Sequence, residues 1–154
     1  MVDVLALAAF NAAYAQVIDS DRLEQWPSFF TERCSYRITN SDNAREGLPA
    51  GIVYADSRAM LEDRVAALRE ANIYERHRYR HLLGLPFVTS ADEHGAVAST
   101  PFMVARIMHT GETALFATGE YRDRFERVEG RLLLAERVAV CDSNVTDTLL
   151  ALPL

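Results

Sequence analysis

The chain has 154 residues, which suffices for one domain that buries roughly 68–70% of the surface of its unfolded chain. Apolar residues make up 49% of the composition and the formal net charge is −6, so a folded core is expected, and nucleic acid and anionic membrane surfaces are disfavoured as partners. All 16 basic residues are arginine, which excludes Schiff-base chemistry and P-loop phosphate binding, because both need a lysine amine.

No internal repeat and no linker rich in Pro, Gly or Ser interrupts the sequence, so we expect a single domain over residues 1–154. The stretch "MVDVLALAAFNAAYA" imitates a secretory signal, but Asp3 stands where a basic region belongs and Asn11 interrupts the apolar run. Cys34 and Cys141 are far apart and form no Cys-x-x-Cys motif, which favours two reduced thiols. These features predict a cytoplasmic protein.

The first predicted element is an amphipathic helix over residues 3–18. Apolar side chains recur along one face at spacings of 3, 4 and 3, at Leu7, Phe10, Tyr14 and Val17. A short second helix is predicted in "DRLEQWPSFF", whose aromatic side chains are interpreted as core residues. The segment "CSYRIT" then alternates as a strand.

Residues 40–55 have the composition of an irregular loop, because two glycines and a proline interrupt them. Asp56 or Ser57 can cap the helix that follows. The apolar residues of this helix face one way, and the pattern predicts that it runs to about Ala71.

The second half of the chain changes to strand periodicity. Four long segments are separated by the turn signals "DEHG", "HTGE" and "VEG", and they lie near 77–90, 96–109, 113–128 and 131–142. Such closely spaced turns predict antiparallel hairpins, so we expect a meander of long, strongly curved strands. The whole pattern predicts an α+β fold in which the N-terminal helices pack on the concave face of a cone-like half-barrel.

The stretch "YERHRYRHLLGLP" concentrates arginine and histidine. His77 and His81 have the spacing of the zinc motif His-Glu-x-x-His, but Arg78 stands where the general base Glu belongs, and the neighbouring arginines would repel a cation. A metal site is therefore not expected, and no motif for nucleophilic catalysis, dinucleotide binding or Rieske ligation occurs elsewhere. We expect no catalytic, cofactor-binding or metal-binding residue in this chain.

As a strand, the same stretch has two different faces. The sequence places Arg76, Arg78 and Arg80 on one face, and His77, Tyr79, His81 and Leu83 on the other. The arginine face is either a solvated charged surface or a docking face that binds carboxylates of another chain through paired N–H donors. The spacing alone leaves both interpretations open.

Ordered motifs across nearly the whole chain resemble a known family. They are "YAQVIDSDRLEQWPSFFTERCSYRIT", "RHRYRHLLGL", "EYRDRF" and "LLLAERVAVCDSNV". The second matches an Arg-x-Arg-His strand of that family at Arg78, Arg80 and His81. The chain resembles the β (small) subunits of Rieske-type aromatic-ring-hydroxylating dioxygenases, which share the cone-shaped NTF2-like α+β fold.

The resemblance implies a structural role in a larger enzyme. The enzyme would be an α3β3 hexamer in which the large (α) subunit holds a Rieske [2Fe–2S] cluster and a mononuclear Fe(II), with NAD(P)H supplying electrons through a separate reductase. The small subunits would form a trimer and stabilise the large ones. Within the family, "EQWPSFFT", "TPFMV" and "VTDTLLALPL" are most similar to the branch that converts terephthalate to a cis-dihydrodiol dicarboxylate. The salicylate 5-hydroxylase and anthranilate dioxygenase branches are less similar.

The apolar ending "TLLALPL" is unusual for a segment where disorder and polar residues are common. Its leucines are Leu149, Leu150, Leu152 and Leu154. We expect these side chains to be buried in a subunit interface or against the sheet. Together with the arginine face, they form the predicted partner interface.

A competing hypothesis from another class is a stand-alone NTF2-like isomerase or dehydratase that uses Asp19, Tyr36 and His81 inside its own cone. The plainer interpretation is that Asp19 ends a helix, Tyr36 is a strand residue and His81 is a hydrogen-bonded structural histidine. A third class is a small-ligand carrier or a homo-oligomeric stability factor.

Overall fold

The computed structural model describes residues 1–45, 53–71, 76–143 and 152–154. Its helices are α1 (Val4–Asp19), a 3₁₀ helix (Leu23–Phe29), α2 (Ser41–Arg45) and α3 (Arg58–Ala71). Its strands are β1 (Phe30–Asn40), β2 (Val53–Ala55), β3 (His77–Leu83), β4 (Phe87–Ala91), β5 (Gly95–Met108), β6 (Thr113–Val128) and β7 (Arg131–Cys141). The loop expected over residues 40–55 contains α2 and β2 where it is described.

The described strands form one sheet in the order β2-β1-β7-β6-β5-β3, and β4 also pairs with β5. The strands β5, β6 and β7 form the predicted antiparallel meander. The sheet as a whole is mixed, because β1 lies parallel to β7. Parallel neighbours need a long crossover connection, and the chain between these two strands includes α3 and all the other strands.

The strand predicted over residues 77–90 is two strands, β3 and β4, on the same edge of β5. The break falls at residues 84–86. A side chain at Gly84 would place its Cβ 2.5 Å from Cγ of Pro101, and the Gly84 amide donates to the Pro101 carbonyl at 2.9 Å. Pro86 has no N–H to offer a strand ladder, so regular pairing stops before it and resumes in β4.

Side chains at their N-termini cap the two longer helices. α1 begins after Asp3, whose Oδ1 accepts a hydrogen bond from the Ala6 amide at 2.8 Å. α3 begins after Ser57, whose Oγ accepts from the Met60 amide at 3.2 Å, so Ser57 rather than Asp56 is the cap. None of the helices in the described ranges is long and apolar enough to span a membrane.

The core lies between α1, the 3₁₀ helix and the inner face of the sheet. Trp26 is fully buried and meets Phe30 and Tyr36 edge to face, with ring centroids 5.7 Å and 5.2 Å away. Tyr14 of α1 meets Phe30 in the same way at 6.2 Å. The predicted core role of the aromatic residues in the second helix is therefore confirmed, and they pack beside the start of β1.

Candidate functional site

The side chains of β3 alternate as the sequence predicts. Arg78 and Arg80 are exposed on the strand, and Arg76 is exposed just before it. Tyr79 and His81 are buried on the opposite face, where α1 packs. The histidine and the arginines therefore lie on opposite sides of the sheet and cannot act in one site.

The outer arginines, Arg76, Arg78 and Arg80, have no carboxylate partner within the described part of the chain. Some other surface arginines are paired with carboxylates of the same chain. Arg69, for example, binds Asp21 at 2.9 Å and Glu24 at 2.7 Å. The guanidinium groups beside β3 thus keep their donors available for water or for another molecule.

Exposed apolar side chains lie on the same face of the sheet as the outer arginines. Leu82 is 63% exposed and stands opposite Met103 of β5, and Phe87 at the start of β4 is 70% exposed. Arginine beside exposed apolar side chains is a composition typical of protein interfaces. We call the surface formed by Arg78, Arg80, Leu82, Phe87 and Met103 the outer patch, and it is the candidate docking surface.

On the inner face, His81 is held by Asp19, the last residue of α1. Its Nδ1 lies 2.7 Å from Oδ1 of Asp19, and its backbone amide donates to Oδ2 at 2.8 Å. Both side chains are buried, and Nε2 of the ring has no hydrogen-bond partner among the described residues. The interpretation of His81 as a hydrogen-bonded histidine and of Asp19 as a helix boundary agrees with this geometry. The pair fixes α1 to β3.

The hydroxyl of Tyr36 is bound to the main chain of Leu154. It donates to the Leu154 backbone oxygen at 3.1 Å and accepts from the Leu154 amide at 3.1 Å, and Tyr14 donates to the same oxygen at 2.9 Å. Burial raises the pKa of Tyr36 well above its ordinary value, so its hydroxyl is neutral. The three side chains that a stand-alone isomerase would use are thus engaged in contacts within the fold.

The end of the chain is buried where it is described. Leu152 is 5% exposed and Leu154 is 1% exposed, both against the aromatic core of this chain. Leu149 and Leu150 lie outside the described residues. A role of these leucines in a subunit interface stays a prediction.

Sequence reasoning missed a buried ionic cluster centred on Arg137 of β7. Its Nε and Nη2 donate to the two carboxylate oxygens of Asp123 at 2.8 Å and 2.9 Å, and Nη2 also donates to Oδ1 of Asn11 at 2.6 Å. The guanidinium lies 4.3 Å from the ring centroid of Tyr14 and 3.9 Å from that of Tyr121. The cluster joins α1, β6 and β7.

The sequence signal for this cluster is the two-residue alternation of "YRDRF" in β6, which places every second side chain on the same face of the strand. Tyr121, Asp123 and Phe125 share one face of the strand, so a carboxylate between two inward aromatic rings requires a buried cation. Burial raises the pKa of Asp123, and Arg137 acts in the opposite direction. The bidentate geometry is that of a charge-assisted pair.

The described residues contain no group of three or more His, Cys, Asp and Glu side chains placed to hold a metal ion. Cys34 and Cys141 are free thiols. Burial raises the pKa of both, and that of Cys141 rises to about 11. These donors do not fit an iron–sulfur cluster or a mononuclear iron, since both need a convergent set of thiolate, imidazole or carboxylate ligands.

Comparison with known proteins decides the family. The sequence model described as "Ring hydroxylating beta subunit" matches residues 13–148. The chain belongs to this family. It is 67% identical over 154 residues to subunit beta 1 of the terminal oxygenase component of terephthalate 1,2-dioxygenase from Comamonas sp, with 100% of both chains covered. It is 40% identical over 142 residues to the anthranilate 1,2-dioxygenase small subunit of Burkholderia cepacia, covering 92% of this chain and 88% of that one.

A solved structure extends the match to three dimensions. The β subunit assigned to an aromatic-ring-hydroxylating dioxygenase of Novosphingobium aromaticivorans has a TM-score of 0.89 and 39% identity, covering 98% of this chain and 96% of that one. The expected NTF2-like α+β fold, with helices packed on a sheet that is not closed, is confirmed.

Proposed function

We propose that this chain is the structural small subunit of a terephthalate 1,2-dioxygenase, as a single domain over residues 1–154. The observation that carries the proposal is the 67% identity, over the full length of both chains, to the Comamonas subunit. The enzyme converts terephthalate and O₂ into a cis-dihydrodiol dicarboxylate, with electrons from NAD(P)H delivered by a separate reductase. The small subunit contributes to assembly rather than to the chemical steps.

The proposed partner is the large (α) subunit, in a cytoplasmic α3β3 hexamer whose small subunits form a trimer. The donor set of the described residues does not fit an iron centre, so the proposal assigns the Rieske [2Fe–2S] cluster and the mononuclear Fe(II) to the large subunit. The burial of His81, Asp19 and the Tyr36 hydroxyl in contacts within the fold supports a role without catalysis.

The outer patch is the surface proposed to bind a neighbouring subunit. Arg78 and Arg80 carry charge without a carboxylate partner among the described residues, and Leu82, Phe87 and Met103 expose apolar surface on the same face of the sheet. A neighbour that presents carboxylates over an apolar patch would satisfy both features at once. Arginine forms bidentate pairs with carboxylates, so such a contact also fixes the register between subunits.

The test is to co-express the chain with its large subunit and to purify the complex. We expect a hexameric mass, iron in the complex but not in the small chain alone, and turnover of terephthalate with the reductase and NADH. Salicylate and anthranilate serve as substrate controls, and the large subunit alone is the assembly control. A small chain that never co-purifies, or a complex that oxidises anthranilate or salicylate but not terephthalate, would contradict the proposal.

A further inference from the structure

The last described residues, 152–154, occupy the core in the manner of a bound ligand. The two leucines of this tail segment are buried, although the ends of chains are usually exposed and poorly ordered. The segment contributes no strand to the sheet. What holds it is a set of side chains from α1 and β1.

The polar contacts to the tail segment converge on one residue. The backbone oxygen of Leu154 accepts hydrogen bonds from the hydroxyls of Tyr14 and Tyr36, at 2.9 Å and 3.1 Å. The amide of Leu154 donates to the Tyr36 hydroxyl at 3.1 Å, so that hydroxyl both donates and accepts. We call the two hydroxyls the tyrosine clamp.

The rest of the core holds the tyrosine clamp in place without the tail segment. The Tyr36 ring packs edge to face on Trp26 and Phe30, with centroids 5.2 Å and 5.8 Å away. The Tyr14 ring lies under the guanidinium of Arg137. A site whose side chains are locked by their own packing needs little reorganisation to bind, which favours affinity.

We propose that the tyrosine clamp is a peptide-binding site inside the cone, that residues 152–154 fill it as an intramolecular ligand, and that it binds a separate leucine-rich peptide end when the tail is cut. The ligand class is an apolar peptide that presents a backbone N–H and oxygen to the two hydroxyls. The covalent link supplies the tail segment at an effective concentration of about millimolar, so the site stays filled in the intact chain. The proposal does not depend on the substrate or the partners of the enzyme.

The experiment uses the full chain with a protease recognition sequence inserted between residues 147 and 148, cut after purification and passed through gel filtration. The probe is the acetylated peptide of residues 148–154, "TLLALPL", titrated to millimolar concentration. Trp26 is the one tryptophan in the sequence and touches Tyr36, so its fluorescence reports the site. The control peptide carries Asp in place of each leucine.

We expect the cut chain to bind the probe in a saturable 1:1 manner, and binding should restore the Trp26 emission of the uncut chain. The uncut chain should not bind the probe, and the cut chain should not bind the control peptide. Tyr14→Phe and Tyr36→Phe keep the rings and remove the hydroxyls, and each should weaken binding by about three- to ten-fold. Tyr54→Phe, on the exposed side of β2, is the matched control and should bind as wild type.

A cut chain that stays folded by circular dichroism but shows no saturable binding overturns the proposal, as does a Tyr14→Phe/Tyr36→Phe double variant that binds the probe like the parent. If cutting unfolds the chain, the probe should restore the folded spectrum. Failure to restore it overturns the proposal as well.

Discussion

The guanidinium groups of Arg137 and of the outer arginines lie in opposite environments. Arg137 is surrounded by a carboxylate, an amide oxygen and two aromatic rings of its own chain, and none of it reaches solvent. Arg78 and Arg80 lie at the surface, where the described residues offer no carboxylate. A buried charge is tolerated only when it is paired, whereas an exposed one is solvated by water. The inner arginine therefore serves the fold, and the outer ones are available for assembly.

The largest effect should come from breaking the inner pair. Arg137→Ala or Asp123→Ala leaves the other charge buried without its partner, and we expect the free energy of unfolding to fall by about 3–5 kcal/mol. Urea unfolding of each purified variant measures the loss. Arg131→Ala, an exposed arginine at the start of the same strand, is the matched control, with a change within about 0.5 kcal/mol. An Arg137→Ala variant within about 1 kcal/mol of wild type would show that the pair contributes little to the fold.

The inner cluster was predictable only in part. The parity of β6 places Asp123 between inward aromatic rings, but its partner on β7 depends on the register of two strands, which the sequence does not specify. Leu133, Leu134 and Ala135 are all buried, so buried and exposed residues do not alternate along β7. The pattern of this strand therefore does not indicate which face Arg137 lies on. Charged residues in strands are also most often exposed, so the sequence favours an exposed position for Arg137.

Changing the outer arginines should affect assembly more than folding. Arg78→Ala or Arg80→Ala removes one member of a proposed inter-subunit pair and leaves a carboxylate of the neighbour without its partner, which costs about 2–5 kcal/mol in association. The isolated chain should unfold as wild type. Subunit dissociation of the complex, followed by mass photometry over a dilution series, measures the effect, and Arg122→Ala, whose partner Glu120 lies in the same chain, is the control. Both variants assembling like wild type would restore the interpretation of a merely solvated surface.

The fold was largely predictable because its signals are local. The spacing of apolar residues in α1, the cap at Ser57 and the turn signals after β5 and β6 each involve residues only a few positions apart in the sequence. The parallel pairing of β1 with β7 and the contact of Tyr36 with Leu154 connect residues more than 90 positions apart. No local pattern encodes such contacts, because they depend on how the whole sheet curves.

The inner face of β3 offers a test, with a smaller expected effect, of the contrast between buried residues that stabilise the fold and exposed residues proposed for assembly. His81→Ala removes the ring that binds Asp19, and a hydrogen bond to a buried carboxyl contributes about 1.5–3 kcal/mol to the free energy of unfolding. Turnover by the assembled complex should be unchanged, and His94→Ala, at an exposed histidine, should alter neither quantity. Thermal unfolding and terephthalate turnover at saturating assembly measure both. A variant that assembles normally but has no turnover would place this chain in the chemistry and refute the structural role.

The smallest effect is expected at an arginine that is exposed and already paired. Glu24→Gln weakens the contact with Arg69, which holds the Glu24 pKa below its ordinary value. The cost should be only about 0–1 kcal/mol because the Glu24 side chain is 64% exposed, and that of Arg69 34%. A lowered carboxyl pKa stabilises the fold above the pKa of the unfolded chain, and this contribution disappears as the pH falls through the lower, folded value. The difference between wild type and Glu24→Gln in urea unfolding should therefore be present at pH 7, smaller in high salt and absent in strong acid. Glu32→Gln, on the exposed side of β1, is the control. Because Arg69 has its carboxylates in its own chain, Glu24→Gln should leave subunit assembly unchanged. A loss of assembly comparable to that of Arg80→Ala would mean that intrachain pairing does not distinguish the arginines of the fold from those proposed to bind a neighbouring subunit.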